Sequence, residues 1–245
     1  GSEILFVSKN AIFNNKKAIR GGIPVCFPQF GPWTDGPQHG FARITRWTLE
    51  EEPKKTSSGD VTATFSLTDN EETRQMWNYK FKVTYKLTLK ETEFESRFTV
   101  TNTGTDAFSF TALLHTYLGV SDVAKVTVSG LNGQQYVDKV KDGQTFTEER
   151  DLVTVQENYD RVYMGTSSGE HVVHDAARGR TVVVKKSNFP DTVVWNPWAD
   201  KAKAMADFGD DEYPRMLCVE AGCVSSRTTL DPGASFDAGQ VLIVQ

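Results

Sequence analysis

The chain has only three cysteines in 245 residues, Cys26, Cys218 and Cys223, an odd number without a CxxC spacing. That fits free thiols in a reducing compartment better than a disulfide framework. No apolar run approaches the roughly 20 residues needed to span a bilayer, and no signal peptide is visible. The expectation is therefore a cytoplasmic protein with no membrane partner. The chain has no excess of positive charge: its net charge is −5. This argues against nucleic acid or an acidic membrane reached through bulk electrostatics, although a local arginine pair can still hold a small anion. Internal repeats, low-complexity tracts and linkers are absent, so one domain over residues 1–245 is the economical reading.

Hydrophobic residues at 38% and charged residues at 24% describe a globular chain long enough for a large core. The dominant pattern is period-2 alternation, the signature of half-buried strands. Val61, Ala63, Phe65 and Leu67 alternate with polar neighbours, and so do Phe81, Val83, Tyr85, Leu87 and Leu89. Phe94, Ser96, Phe98 and Val100 follow after a turn. Further strands are expected at 108–118, 125–128, 152–156, 181–186, 192–195, 216–220, 224–230 and 240–244, with another at 4–8. Turns at Asn102-Thr103-Gly104, Ser167-Ser168-Gly169 and Asp231-Pro232-Gly233 punctuate them. Only two short helices are expected, near 70–78 and 199–205. Many short strands with close turns predict a mainly β chain built as an antiparallel β-sandwich or barrel.

Against that background, the stretch from Ala18 to Gly31, followed by Pro37 to Arg43, stands out. It sets Arg20, Gln38, His39 and Arg43 among glycines and prolines that prevent a long helix. The arginine fork suits bidentate contact to phosphate or carboxylate, but residue types alone equally allow a solvated loop. His115 shares a strand face with Leu113 and Tyr117, a placement open to a core histidine or to a proton donor. Glu220 ends the apolar run Met216 to Val219 and is either solvated or buried in a pocket, where its pKa would rise. His171 and His174 resemble a metal pair, but at i, i+3 on a strand they point to opposite faces. No Cys/His cluster adds ligands at a convincing spacing, so no metal is assigned.

The strings RGGIPVCFPQFG and PQHGFAR resemble the hexose-6-phosphate mutarotases (glucose-6-phosphate 1-epimerases) of the aldose 1-epimerase group. The likeness continues through Leu113-Leu114-His115-Thr116-Tyr117, Tyr136 to Lys139, Asp160 to Tyr163, Val194 to Trp198 and Cys218 to Gly222. It covers nearly the whole chain. It implies the large, distorted β-sandwich of the galactose-mutarotase type, with a concave sheet holding the sugar. His115 would be the acid and Glu220 the base that open and close a sugar ring at C1, a reaction that needs no metal or redox cofactor. Asp160 would bind sugar hydroxyls, although Glu157 competes for that alignment, and Arg20, Gln38 and Arg43 would hold a 6-phosphate. His39 would touch substrate or make a structural hydrogen bond. Trp33, Trp195 and Trp198 are candidates for stacking on sugar or for core packing. The expected partner is a small-molecule hexose 6-phosphate, met by a monomer.

Two other functions compete. A non-catalytic carbohydrate-binding protein could use the same fold, but it needs no acid–base pair. An epimerase of unphosphorylated aldoses does not need paired arginines. Gly1-Ser2 reads as a cloning remnant, and the resembled family carries further strands before Ile4. Either this chain is short at its N-terminus or upstream residues lie outside the sequence.

Overall fold

A computed structural model describes residues 3–14, 16–166 and 168–245. The expected turn at 167–169 and the Gly1-Ser2 pair thus lie partly or wholly outside the described residues. In chain order the strands are β1 (Val25–Cys26), β2 (Thr48–Lys55), β3 (Val61–Thr68), β4 (Phe81–Leu89), β5 (Glu93–Asn102), β6 (Phe108–Leu114), β7 (Tyr117–Gly119) and β8 (Thr127–Ser129). They continue as β9 (Gln135–Asp138), β10 (Gln144–Thr147), β11 (Tyr159–Tyr163), β12 (Glu170–Asp175), β13 (Arg180–Ser187), β14 (Asp191–Asn196), β15 (Met216–Leu230) and β16 (Ser235–Val244). Two short α-helices, α1 (Glu71–Met76) and α2 (Trp198–Ala204), fall where they were expected. Asn70 caps α1 through its side chain, which accepts from the Thr73 N–H, and Thr73 answers with its hydroxyl.

Two eight-stranded antiparallel sheets form a sandwich. One runs β1-β6-β15-β14-β11-β9-β10 with β7 also on β15, and the other runs β2-β3-β4-β5-β16-β13-β12-β8. The alternation seen in the sequence sends one set of side chains between the sheets. Phe110, Ala112, Leu114 and Ala221 meet Phe81, Val83, Phe98 and Val100 there. Further along, Leu217, Val219 and Val194 meet Val173, Val182, Val184 and Leu242. Phe27 sits at the centre of an aromatic group, 5.4 Å from Phe81 and from Phe110 and 5.5 Å from Trp77. That leaves the opposite face of the first sheet free for other side chains.

Three sequence expectations need correction. The 152–156 segment is not a strand: Val153 makes a single bridge to Val128, and its alternation reflects the burial of Val153 and Val155. The 4–8 segment makes isolated bridges to different partners, Leu5 to Leu118 and Val7 to Gly21, so no ladder forms. Glu220 does not end a strand, because β15 continues through it to Leu230. No helix among the described residues is long and apolar enough to cross a membrane.

Candidate active site

Strand pairing alone lines up much of the site. Tyr117, Cys218, Trp195 and Asp160 are successive cross-strand partners, forming one row across β7, β15, β14 and β11. The neighbouring row joins Glu220, Val193, Val162 and Val137. Because side chains alternate along each strand, both rows face away from the inter-sheet core. Val162 and Val193 of these rows join Leu113 and Cys26 in an apolar patch on that face. His115 joins at the break between β6 and β7, where its ring stacks on Tyr117 at 4.7 Å and meets Trp195 edge-on at 5.7 Å.

The Gly/Pro segment forms the opposing wall. Gly21 and Gly40 have φ of +132° and +73°, and an added Cβ would strike the Phe6 and Phe27 carbonyls respectively. The turn returns His39 over the sheet, where its Nδ1 accepts from the Gly31 N–H at 3.1 Å and its ring lies 5.9 Å from His115. Together the wall and the sheet enclose about 460 Å³, lined by Arg20, Gln38, His39, Arg43, His115, Asp160 and Glu220. Every residue expected at the site therefore converges on one cavity. A larger open cleft of about 890 Å³ near Trp33 and Arg227 holds no histidine or glutamate.

His115 Nδ1 lies 3.2 Å from Glu220 Oε1, and both side chains are almost fully buried. Burial holds His115 well below its ordinary pKa, helped by the neighbouring His39 ring and by the charges of Arg43 and Arg20. Burial likewise drives Glu220 well above the carboxylate range, with Asp160 adding to it and Lys139 and Arg43 opposing. Burial disfavours both the imidazolium and the carboxylate, so the two shifts oppose an ion pair in the free protein. Neither Glu220 oxygen makes a well-aligned hydrogen bond among the described residues. His39 is also neutral, lowered to about 3 by burial and then by Arg43, Lys139 and Arg20. Asp160 is raised by burial, against the pull of Lys139 and Lys201.

Arg20 and Arg43 supply the cationic end. Arg20 donates to Tyr117 Oη at 3.2 Å and to the buried Asp207 carboxylate at 3.3 Å. Arg43 donates to the Gln38 carbonyl at 2.8 Å. Each arginine keeps a buried Nε–H that has no partner among the described residues. Lys139, whose ammonium lies 4.1 Å over the Phe30 ring, and Lys201 on α2 add two more cations to the lining.

Lys139 and Lys201 escaped the sequence reading because a lone lysine looks like any solvated one. Only Lys139 carried a signal, its place in the quoted Tyr136 to Lys139 string. Asp207 gave none. Of the tryptophans, Trp195 lines the cavity, while Trp33 packs on Phe41 at 6.1 Å and Trp198 on Tyr213 at 5.2 Å. Glu157 is exposed, which leaves Asp160 as the acid of its segment that reaches the cavity. His171 and His174 diverge as the strand period requires, bonding Thr192 and Thr181 separately.

The chain is 41% identical over 242 residues to a protein of Cenchrus ciliaris named as a glucose-6-phosphate 1-epimerase, spanning 96% of this chain and 73% of that one. A solved mutarotase from Salmonella typhimurium superposes with a TM-score of 0.90 and 31% identity, covering 98% of this chain and 79% of that one. A galactose mutarotase-like protein from Lactobacillus casei, 17% identical with a TM-score of 0.73, shares the fold over 92% of this chain and 85% of its own. The aldose 1-epimerase family matches residues 1–242, and on that extent of likeness the chain belongs to the aldose 1-epimerase family.

Proposed function

We propose that this protein interconverts the α and β anomers of hexose 6-phosphates, chiefly glucose 6-phosphate, by acid–base opening and reclosure of the ring at C1. The observation that carries this reading is the buried His115–Glu220 pair, at 3.2 Å, in the same cavity as Arg20 and Arg43. The name of the Cenchrus ciliaris relative supports the choice of substrate.

Glu220 removes the proton from the C1 hydroxyl while His115 protonates the ring oxygen, and the C1–O5 bond breaks to give the open-chain aldehyde. Rotation about C1–C2 presents the other face, and the same two groups reverse their transfers to close the ring. The pair needs one proton between its members, and the opposed shifts of the free site favour Glu220 as its holder. A phosphate seated on Arg20 and Arg43 offsets two of the positive charges that keep His115 neutral. Substrate binding thereby moves the pair toward imidazolium and carboxylate, the state in which ring opening begins. Asp160 accepts from sugar hydroxyls. The neutral His39, with Nδ1 engaged by Gly31, donates through Nε2.

The test is α/β exchange of glucose 6-phosphate, followed by NMR against the spontaneous rate. Glu220→Gln is expected to lower the catalysed rate by about 10²- to 10⁴-fold, the usual worth of general acid–base catalysis. Unchanged exchange in that variant overturns the mechanism. An unchanged preference for phosphorylated over free glucose after Arg20→Ala with Arg43→Ala removes the phosphate assignment.

A further inference from the structure

The acid–base pair has a third neighbour that ring opening does not use. Cys218 precedes Glu220 by two residues on β15 and so shares its face, and its Sγ lies 3.7 Å from His115 Nδ1. The same Nδ1 is 3.2 Å from Glu220 Oε1, and the three donor atoms lie within 4.8 Å of one another. A tetrahedral Zn²⁺ with bonds of about 2.1 Å to N and O and about 2.3 Å to S holds N and O about 3.4 Å apart, and N and S about 3.6 Å apart. Both observed separations fall within a few tenths of an ångström of that geometry.

The donors are also poorly occupied otherwise. Glu220 is 1% exposed, and neither of its oxygens makes a well-aligned hydrogen bond among the described residues, its polar neighbours being the Cys218 thiol and the His115 ring. An imidazole, a thiol and an idle carboxyl form a set that suits a borderline-soft cation and not Mg²⁺, which demands an oxygen shell. His115 and Glu220 both line the open cavity, which gives a cation its route in and leaves a coordination position for water. Arg20, Arg43 and Lys139 oppose cation entry. Loss of the thiol and carboxyl protons on binding supplies two negative charges that neutralise the metal locally.

We propose that His115 Nδ1, Cys218 Sγ and one Glu220 oxygen bind a thiophilic divalent cation such as Zn²⁺ or Cd²⁺, and that this binding silences the site. Binding stands independently of the enzymatic reading. The silencing rests on it, because the metal occupies the acid and the base together.

The experiment titrates the reduced 245-residue chain with Cd²⁺ alone, without substrate, and follows the ultraviolet cadmium–thiolate charge-transfer band. One equivalent is expected to bind, Zn²⁺ to compete it away, and Mg²⁺ to have no effect. The band should vanish in Cys218→Ala and in the size-conserving Cys218→Ser, and persist in Cys26→Ala and Cys223→Ala, whose thiols are also buried and free. In parallel, Zn²⁺ should abolish anomer exchange reversibly by chelator. Cys218→Ala, referenced to its own metal-free rate, should need about 100-fold more Zn²⁺ for the same inhibition, at or beyond the loss seen when outer-sphere partners are removed. No band in the wild-type protein, or a band that survives both Cys218 variants, overturns the site. Stoichiometric binding through Cys218 with undiminished exchange leaves the metal site standing and overturns the assignment of His115 and Glu220 as the reacting pair.

Discussion

Glu220 has a stability consequence that can be separated from catalysis. A carboxyl whose folded pKa is raised stays protonated in the native state after the unfolded chain has lost its proton. From the ordinary value near 4.5 up to the raised folded value, the unfolded state binds fewer protons, so stability falls as pH rises through that window. Glu220→Gln removes the titration. The melting-temperature difference between Glu220→Gln and the wild-type protein should therefore widen in favour of the variant as pH increases above 4.5. Parallel pH–stability curves would show that Glu220 titrates normally. His115 acts in the opposite sense: held low when folded, it weakens the native state below its ordinary value of 6.5 and is without effect above it. At this scale the sequence was legible in the identity of the cavity-lining residues, since Arg20, Gln38, His39, Arg43, His115, Asp160 and Glu220 all sit in local strings. Their charge states were not legible. What holds the His115 pKa down is burial together with the charges of Arg43 and Arg20, which lie more than seventy positions away in the chain and reach it only through folding.

The long strand β15 is the element on which the site depends, because it carries Cys218 and Glu220 before changing course. Its pairing with β6 breaks between Cys223 and Thr228, opposite Ala112 and Phe110. The buried Asp191 at the start of β14 holds that irregularity in place. Its carboxylate accepts from the N–H groups of Val224, Ser225 and Gly165 at 2.7, 2.8 and 3.0 Å, and from the Ser225 hydroxyl at 2.9 Å. Asp191→Ala strands these donors, and unmade buried hydrogen bonds to a charged acceptor should cost about 2–4 kcal/mol. A smaller loss is expected for Asp191→Asn, which keeps one accepting oxygen. Urea unfolding of both variants checks the order, and equal midpoints would remove Asp191 as the clasp. Alternation in the sequence located the long inward-facing strands β3 to β6, because it reports burial, but the short strands β9, β10 and β11 were not among those expected. It failed for β2, whose residues are exposed throughout and carry Glu50, Glu51, Pro53 and Lys54, the composition of a guarded sheet edge. It also misled at 152–156, where Val153 and Val155 are buried without belonging to a ladder.

At the scale of the whole molecule, an acidic protein encloses a basic cavity. The net charge is −5, yet Arg20, Arg43, Lys139 and Lys201 line a space whose acids are Asp160 and Glu220, the latter with its pKa raised by burial, with Asp207 behind Arg20. The two fields act over different ranges. Surface charge is screened within about 8 Å at physiological salt, so an approaching anion is little affected by the distant carboxylates. Inside the cavity, walls of low polarizability keep the four cations effective at contact distances. On the proposed function, a sugar without phosphate should gain little from this arrangement, whereas a hexose 6-phosphate should have its dianion partly neutralised there. Raising monovalent salt from about 0.05 M to about 0.5 M shortens the screening length roughly threefold. KM for glucose 6-phosphate should then rise several-fold, while kcat/KM for free glucose stays level. Arg43→Ala should flatten the salt dependence for the phosphorylated sugar without altering that of the free one. Equal salt sensitivity for the two sugars would mean that the cationic wall does not select the phosphate, and that discrimination lies instead in contacts to the sugar hydroxyls.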